Sequence, residues 1–138
     1  MSRRGGVTDE ELSGFAARIV RSLSGKANMA RKVTPPSVTL LSSRAMRRLT
    51  WKFLKERGVA DVLAFPEPKH FPHPETRSKV LGEIYLNTEE AKRRPSRLLF
   101  LVIHGVLHLV GYDHLTRRDR MKMGYLEERL LKRFLGKD

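Results

Sequence analysis

The sequence predicts an α+β domain with strands early in the chain and its longest helices late. The chain has 138 residues, which is the size of one domain. Apolar residues recur at helical spacing in its first, penultimate and last segments. Short apolar runs bounded by proline, glycine or serine lie between them, which is typical of strands. Segregated strands and helices favour an α+β layer fold.

The first helix is predicted to begin just after Thr8. The tetrapeptide T-D-E-E forms a capping box there, because the Thr8 hydroxyl caps the helix and Glu11 reaches back to the Thr8 amide. Apolar residues at every third or fourth position continue the helix to about residue 23. The polar segment 26–36 closes on two prolines and is predicted to be a loop.

A strand and a second helix are predicted next. Residues 37–41, with the sequence SVTLL, form the strand. Ser42 or Ser43 then caps a helix that extends to about Leu54. Its inward side chains are predicted to be Met46, Leu49 and Phe53, with Trp51 near the edge of the core.

Two further strands are predicted on either side of a proline-rich loop. Residues 61–65, DVLAF, and 81–87, LGEIYLN, have the apolar composition of short strands. The segment 66–79 carries four prolines and is predicted to be an extended loop. Asn87 or Thr88 caps a short helix that Pro95 ends.

Two longer helices complete the predicted fold. Ser96 opens an apolar helix that extends to about Val110, and a last helix extends from about residue 116 to residue 135. Helical spacing predicts that the buried stripe of this last helix comprises Met121, Tyr125, Leu126, Leu130 and Leu131.

Composition restricts the compartment and the partners. The net charge is +13, and a surplus of this size on a small domain favours a polyanionic partner such as RNA. The chain has no cysteine, which excludes a disulfide framework, a thiolate metal site and a cysteine nucleophile. The N-terminus lacks the apolar run of a signal peptide, and the longest apolar run, LLFLVI, is too short to span a bilayer. We therefore expect a cytoplasmic protein with no membrane partner.

The segment 104-HGVLHLVGYDH-114 holds three of the five histidines inside an apolar stretch. His104 and His108 are separated by about 400° of rotation and about 6 Å of rise, so both rings leave one face of the helix. Gly111 tolerates the left-handed conformation that ends a helix and turns the chain, which brings His114 back toward that face. The spacing predicts that His104, His108 and His114 bind one metal ion.

The ligand set favours zinc and an open site. Three neutral imidazoles without cysteine suit Zn²⁺, one ion per chain, although Ni²⁺, Cu²⁺ and Co²⁺ also fit such a set. Three protein ligands leave the fourth position to water, and the ion would lower the pKa of that water from about 16 to near 7. Asp113 either orients one of the rings or caps the turn.

The same histidine spacing occurs in metzincin proteases, whose motif is H-E-x-x-H-x-x-G-x-x-H. Those enzymes use the glutamate beside the first histidine as a general base. In this chain that position is Gly105, which cannot accept a proton. A zinc peptidase or amidase is therefore the least favoured hypothesis.

Three segments resemble one known family. HGVLHLVGYDH is similar to the H-G-x-L-H-L-x-G-Y-D-H signature of the YbeY family, bacterial metal-dependent endoribonucleases that act in ribosomal RNA maturation. ADVLAFP at 60–66 resembles the family's T-D-V-L-S-F-P strand, and LGEIYLN at 81–87 its L-G-D-I strand. The resemblance covers about residues 37–135. It implies a zincin-like fold, in which a small mixed sheet has helices packed on it and the metal site lies on the penultimate helix and the following turn.

The resemblance also implies hydrolysis of phosphodiester bonds in single-stranded RNA. The family carries an arginine six residues before its T-D-V-L-S-F threonine, and that register falls on Leu54 here, beside Lys55. A lysine replaces such an arginine only in part, because ammonium lacks the bidentate fork of a guanidinium. No general base is evident. Glu83, at the aspartate of L-G-D-I, is only a candidate.

Residues 43–57 carry six basic side chains against one acid, Glu56. We expect contacts with phosphates from Arg47, Arg48, Lys52, Lys55 and Arg57. Trp51 is either a core residue or a platform on which an unpaired base stacks.

The leading hypothesis is a zinc-dependent endoribonuclease that acts on single-stranded regions of ribosomal RNA precursors, with metal-bound water as the nucleophile. Its partner would be ribosomal RNA or a ribosomal particle. The alternative is an RNA-binding ribosome-assembly factor whose metal is structural, which the missing arginine favours.

Overall fold

The computed structural model describes residues 6–23, 33–67 and 79–135, and it has the α+β architecture that the sequence predicts. Its helices are α1 (Asp9–Leu23), α2 (Ser43–Leu49), α3 (Thr88–Arg93), α4 (Pro95–Leu109) and α5 (Arg117–Leu135). Its strands are β1 (Val33–Thr34), β2 (Ser37–Leu41), β3 (Val62–Pro66), β4 (Lys79–Val80) and β5 (Gly82–Asn87). None of the helices in these ranges has the length and apolar composition of a bilayer-spanning segment.

The main sheet is mixed and has the order β2-β5-β3. β2 is parallel to β5, with Val38 opposite Ile84, and β3 is antiparallel to β5, with Ala64 opposite the same residue. A mixed sheet with helices packed on it is what the family resemblance implied, and it is confirmed.

A second, two-residue parallel pair joins β1 to β4. The predicted loops 26–36 and 66–79 were wrong at Val33–Thr34 and Lys79, which form this pair, and at Pro66, which is the last residue of β3. Pairing over two residues is too short to produce a periodic pattern in the sequence. The remainder of both predicted loops lies mainly outside the described residues.

The core lies between the sheet and the apolar faces of α1 and α4. Ile84, at the centre of β5, is completely buried, as are Val102 and Val106 of α4. Gly105 allows α4 to pack closely on the sheet, because a Cβ at this position would lie 3.1 to 3.3 Å from three side-chain carbons of Ile84. The predicted helix starts are also confirmed, since the Thr8–Glu11 capping box forms and Ser42 and Asn87 are the N-caps of α2 and α3.

Helix α1 covers the outer edge of β2 with two side chains. The Val38 amide donates to Ser13 Oγ at 2.9 Å, and the Leu40 amide donates to Asp9 Oδ1 at 3.0 Å. Asp9 and Ser13 are four residues apart and so lie on one face of the helix. These side chains satisfy backbone donors that an uncovered edge strand would present to other chains.

The prediction that Phe53 lies inward is wrong, and Trp51 is not in the core. Their exposed fractions are 52% and 53%. The helix changes to a wider π-helical turn at Thr50–Leu54, which alters the direction of the side chains that follow. Thr50 is buried instead of them, and its hydroxyl donates to the Met46 carbonyl at 2.7 Å.

The predicted buried stripe of α5 is also partly wrong. Met121 and Tyr125 are 65% and 59% exposed, whereas Met123, which the predicted stripe did not include, is buried. Leu130 is buried, as predicted. Leu126 and Leu131 are partly buried, as predicted. The face of α5 that is buried carries an acid, Glu127, between its apolar residues. A pattern that includes Met121 and Tyr125 avoids this acid and looks more regularly apolar, but these two residues lie on the exposed face.

We expect Ser13→Ala to lower the free energy of unfolding by about 1–3 kcal/mol, because it leaves the partly buried Val38 amide without its acceptor. Urea denaturation would measure the loss. Ser22→Ala is the matched control. Within the part of the chain that the structure describes, its hydroxyl donates to the Ile19 carbonyl of the same helix, so the expected change is within about 0.5 kcal/mol. Equal losses in the two variants would show that the edge contact contributes nothing specific.

Candidate metal centre

The helix α4 presents His104 and His108 side by side, as their spacing predicts. Their ring centroids are 4.8 Å apart, and the rings are nearly perpendicular at 75°. Both side chains are only partly buried, while Val102 and Val106 on the opposite face are completely buried. The apolar residues of α4 therefore fix the helix on the core and leave the imidazoles at its surface.

Gly111 turns the chain so that His114 reaches the same place. The Tyr112 amide donates to the Leu107 carbonyl at 2.9 Å, and the Gly111 amide donates to the His108 carbonyl at 3.1 Å. These two bonds form a Schellman motif, which needs a left-handed residue at Gly111, and its φ is 114°. The His114 ring centroid then lies 4.9 Å from that of His108.

The geometry of the three histidines fits a zinc ion. Each contributes one nitrogen, and these nitrogens all lie within 4.8 Å of one another. Zn–N bonds of about 2.0–2.1 Å place the nitrogens of a tetrahedral site about 3.4 Å apart. The widest pair therefore has to close by no more than about 1.4 Å, which small side-chain rotations provide.

Glu127 of α5 holds one of the imidazoles, and this residue was missed by the sequence reasoning. Its Oε2 lies 2.5 Å from His104 Nδ1, and both side chains are largely buried, at 12% and 25% exposure. A carboxylate on Nδ1 fixes the tautomer and leaves Nε2 free to bind a metal. An acid inside an otherwise apolar helical stripe was the signal in the sequence that could have identified it.

His108 favours the neutral form that a metal ligand needs. Burial lowers its pKa below the ordinary value of 6.5, and the nearby His104 and His114 lower it further. The charge of Asp113 acts in the opposite direction on the same pKa. Neutral imidazole is therefore available at neutral pH without displacement of a proton by the metal.

Asp113 caps the turn after α4, which is one of the two roles considered for it from the sequence. Its Oδ1 accepts a hydrogen bond from the Leu115 amide at 3.1 Å, two residues further along the chain. This bond stabilises the bend between His114 and α5. Its contribution to the imidazoles is the electrostatic effect on the pKa of His108.

Glu83 is engaged with a tyrosine and does not belong to the histidine cluster. The Tyr85 hydroxyl donates to Glu83 Oε1 at 2.6 Å. Within the described ranges, the group of mutually close metal-binding atoms around α4 comprises only the three histidines. The hydrogen bond between Tyr85 and Glu83, together with burial and the charge of Glu83, raises the pKa of Tyr85 to about 12.

The five predicted phosphate contacts are all exposed on the segment that follows β2. They are Arg47, Arg48, Lys52, Lys55 and Arg57. The same segment contacts β3, because the ring centroids of Phe53 and Phe65 are 4.9 Å apart. β3 in turn packs against α4. The basic segment therefore lies beside the strand that borders the histidine-bearing helix.

Leu54 occupies the sequence position at which the family carries its arginine, and its apolar side chain is 47% exposed. Both neighbouring lysines hold their ammonium groups near aromatic rings. Lys52 Nζ is 5.4 Å from the centroid of Phe53, and Lys55 Nζ is 5.9 Å from that of Trp51.

Position 105 faces the sheet and not the histidines, as its close approach to Ile84 shows. A longer side chain at this position would have to enter the packed contact between α4 and β5. The location as well as the identity of Gly105 thus disfavours a metzincin-type general base.

Comparison with known proteins identifies relatives of this chain. The profile of the family described as "Endoribonuclease YbeY" matches residues 2–135. A Myxococcus xanthus protein with that description is 37% identical over 106 residues, which cover 69% of this chain and 35% of the relative. A Mycolicibacterium gilvum protein with the same description is 32% identical and covers 94% of this chain and 78% of the relative.

A solved structure has the same fold. The solution structure of TM1509 from Thermotoga maritima superposes with a TM-score of 0.53 at 25% sequence identity. The match covers 90% of this chain and 83% of that chain. The chain spans only about a third of the Myxococcus relative but most of the other two proteins.

We expect Glu127→Ala to weaken zinc binding by about 10- to 100-fold, because His104 loses the carboxylate that orients its ring. Glu127→Gln should lose less, since its amide oxygen still accepts from Nδ1. Competition with a chromophoric chelator would measure the affinities. Glu128→Ala removes the neighbouring exposed acid and should bind zinc like the wild type. Equal affinities for the Glu127→Ala and Glu128→Ala proteins would contradict the role of Glu127.

The pKa of Tyr85 should fall from about 12 toward 10.0 in Glu83→Gln, because the phenol loses its hydrogen bond to a carboxylate. The raised pKa favours the neutral phenol in the folded protein, so its contribution to stability is present below pH 10 and is lost as the pH rises toward 12. Tyrosinate absorbance would follow the titration. Tyr85→Phe identifies the late-titrating group among the three tyrosines. An unchanged titration in Glu83→Gln would exclude Glu83 as the cause.

Proposed function

The chain belongs to the endoribonuclease YbeY family, and we propose that it is a zinc-dependent endoribonuclease that cleaves single-stranded regions of ribosomal RNA precursors. The observation that carries the proposal is the convergence of His104, His108 and His114 on one place at the protein surface. Two of these side chains are partly buried and the third is exposed, so a bound ion would remain accessible to a substrate.

The histidines would hold the ion, and zinc is the metal that this set of ligands favours. When bound, a zinc ion supplies Lewis acidity for polarising a phosphoryl oxygen and for activating the attacking water. Glu127 fixes the tautomer of His104, and burial keeps His108 in its neutral form. Phe100 lies beside His104, with 6.1 Å between the ring centroids.

The basic side chains support RNA as the substrate class. Five exposed basic side chains lie between Arg47 and Arg57, on the segment that contacts β3. The same segment carries one acidic residue, Glu56. Cations on this segment neutralise phosphates and position the backbone without reading its sequence. We propose ribosomal RNA or a ribosomal particle as the partner because the chain belongs to this family. This partner implies a cytoplasmic site of action.

A second candidate is an RNA-binding factor for ribosome assembly with a structural metal. Leu54 favours it, because a guanidinium at this register would supply bidentate contacts to a phosphate that neither Lys52 nor Lys55 replaces. This candidate predicts strongly salt-dependent RNA binding without turnover. The two candidates therefore differ in one measurable property, which is cleavage.

We expect zinc-loaded wild-type protein to cleave single-stranded RNA and to lose at least about 100-fold in rate in His108→Ala, because one of three metal ligands is gone. Metal content by elemental analysis and cleavage of a labelled oligonucleotide would be measured together. RNA affinity should be nearly unchanged in that variant, since the basic segment is intact. Binding without cleavage by metal-loaded wild type would favour the assembly factor, and equal cleavage by both proteins would indicate contamination.

A further inference from the structure

We propose that Trp51 and the groove beside it form a subsite for an unpaired base of single-stranded RNA. This inference rests on the proposed function for the class of its ligand. It adds a specific contact to that function, because phosphate contacts alone would bind single strands and duplexes alike. Stacking requires an unpaired base, so the subsite would select single-stranded RNA.

Trp51 is exposed in a way that packing does not explain. It is the sole tryptophan of the chain, and 53% of its surface is exposed. Large aromatic side chains normally bury most of their area, because burial of that area stabilises the fold. Phe53 and Leu54 beside it are 52% and 47% exposed. This short segment therefore exposes three large apolar side chains to solvent.

The groove beside Trp51 has the size and charge of a site for a nucleotide. Its volume is about 470 Å³, and Arg47, Arg57, Glu56 and Gly58 line it together with Trp51. This volume falls within the range of about 300–1,000 Å³ that is typical of small-ligand sites. Arg47 and Arg57 add two guanidinium groups to this lining, and guanidinium groups bind the phosphates of nucleic acids.

The local backbone holds this platform in place. The Thr50 hydroxyl donates to the Met46 carbonyl at 2.7 Å and accepts from the Ala60 amide at 3.2 Å, which ties the π-helical turn to the chain before β3. Lys55 ends the turn with a left-handed φ of 57°, which is uncommon for a residue with a side chain. π-Helical turns occur frequently at functional sites. A preorganised aromatic face loses less entropy when a base stacks on it.

Charge decides between RNA and a protein as the occupant. The centres of protein interfaces are enriched in tryptophan and arginine but depleted of lysine. Here the ammonium groups of Lys52 and Lys55 lie 5.4 and 5.9 Å from the centroids of the exposed aromatic rings. Aromatic faces interleaved with several cations are the pattern by which proteins bind single-stranded nucleic acid.

The intrinsic fluorescence of Trp51 tests the proposal directly, because no other tryptophan contributes to the emission. The experiment uses His108→Ala protein, which should cleave the probe at least about 100-fold more slowly than the wild type, and a single-stranded oligoadenylate. We expect the RNA to quench the emission, and the same strand annealed to its complement should quench much less at equal occupancy. Occupancy would be followed independently by the anisotropy of a labelled strand.

Three variants show whether stacking contributes to affinity. Trp51→Ala should weaken binding of the single strand by about 10-fold or more, whereas Trp51→Phe should retain affinity within about threefold because the phenyl ring still stacks. Tyr125→Ala is the matched control. Tyr125 is 59% exposed on α5 with Arg129 5.6 Å from its ring centroid, so it is also an exposed aromatic residue beside a cation. Its removal should change affinity less than twofold.

The outcomes separate this proposal from the proposed function. Absence of quenching at full occupancy, or wild-type affinity in Trp51→Ala, would overturn the subsite even if the wild-type enzyme cleaves RNA. Equal losses in Trp51→Ala and Tyr125→Ala would overturn it as well. Quenching and a loss confined to Trp51→Ala would support the subsite even if no cleavage were found, in which case only the catalytic proposal would fail.

Discussion

The contact between α4 and α5 is the constraint on which the histidine cluster depends. α4 contributes two of the imidazoles, and the turn that leads into α5 contributes the third. α5 then packs back on α4, with Met123 and Leu130 buried in the core, and this packing places Glu127 on His104. Burial of a carboxylate is unfavourable unless it has a partner, and the imidazole is that partner. Apolar packing and the polar site are thus formed by the same pair of helices.

The features that the sequence predicted well are those encoded by residues close together in the chain. The capping box at Thr8 and the N-caps at Ser42 and Asn87 follow from bonds that span two or three residues. The convergence of the histidines follows in the same way, because the helical repeat and one left-handed glycine determine it. Local geometry was sufficient to predict these features, because tertiary packing did not change the caps or the positions of the histidines.

The features that the sequence did not predict depend on distant contacts. Glu127 is 23 residues from His104, and no local rule connects them. The exposure of Trp51 follows from a π-helical turn that is anchored to Ala60 by a buried threonine, which periodicity does not encode. The exposure of Met121 follows from the docking of α5 on its other face. Met121 was predicted to be buried because apolar periodicity cannot show which face of a helix meets the core.

The side-chain cover that α1 provides for β2 affects the order in which the sheet can assemble. Ser13 is 25 residues from Val38, whereas the strand partner of Val38 is Ile84, 46 residues away (84 minus 38). Closing the shorter loop loses less chain entropy, by about 0.5 kcal/mol. A helix can therefore occupy one side of β2 before β5 reaches the other. The nascent strand is then open to intermolecular pairing on one side only, which reduces the risk of aggregation during folding.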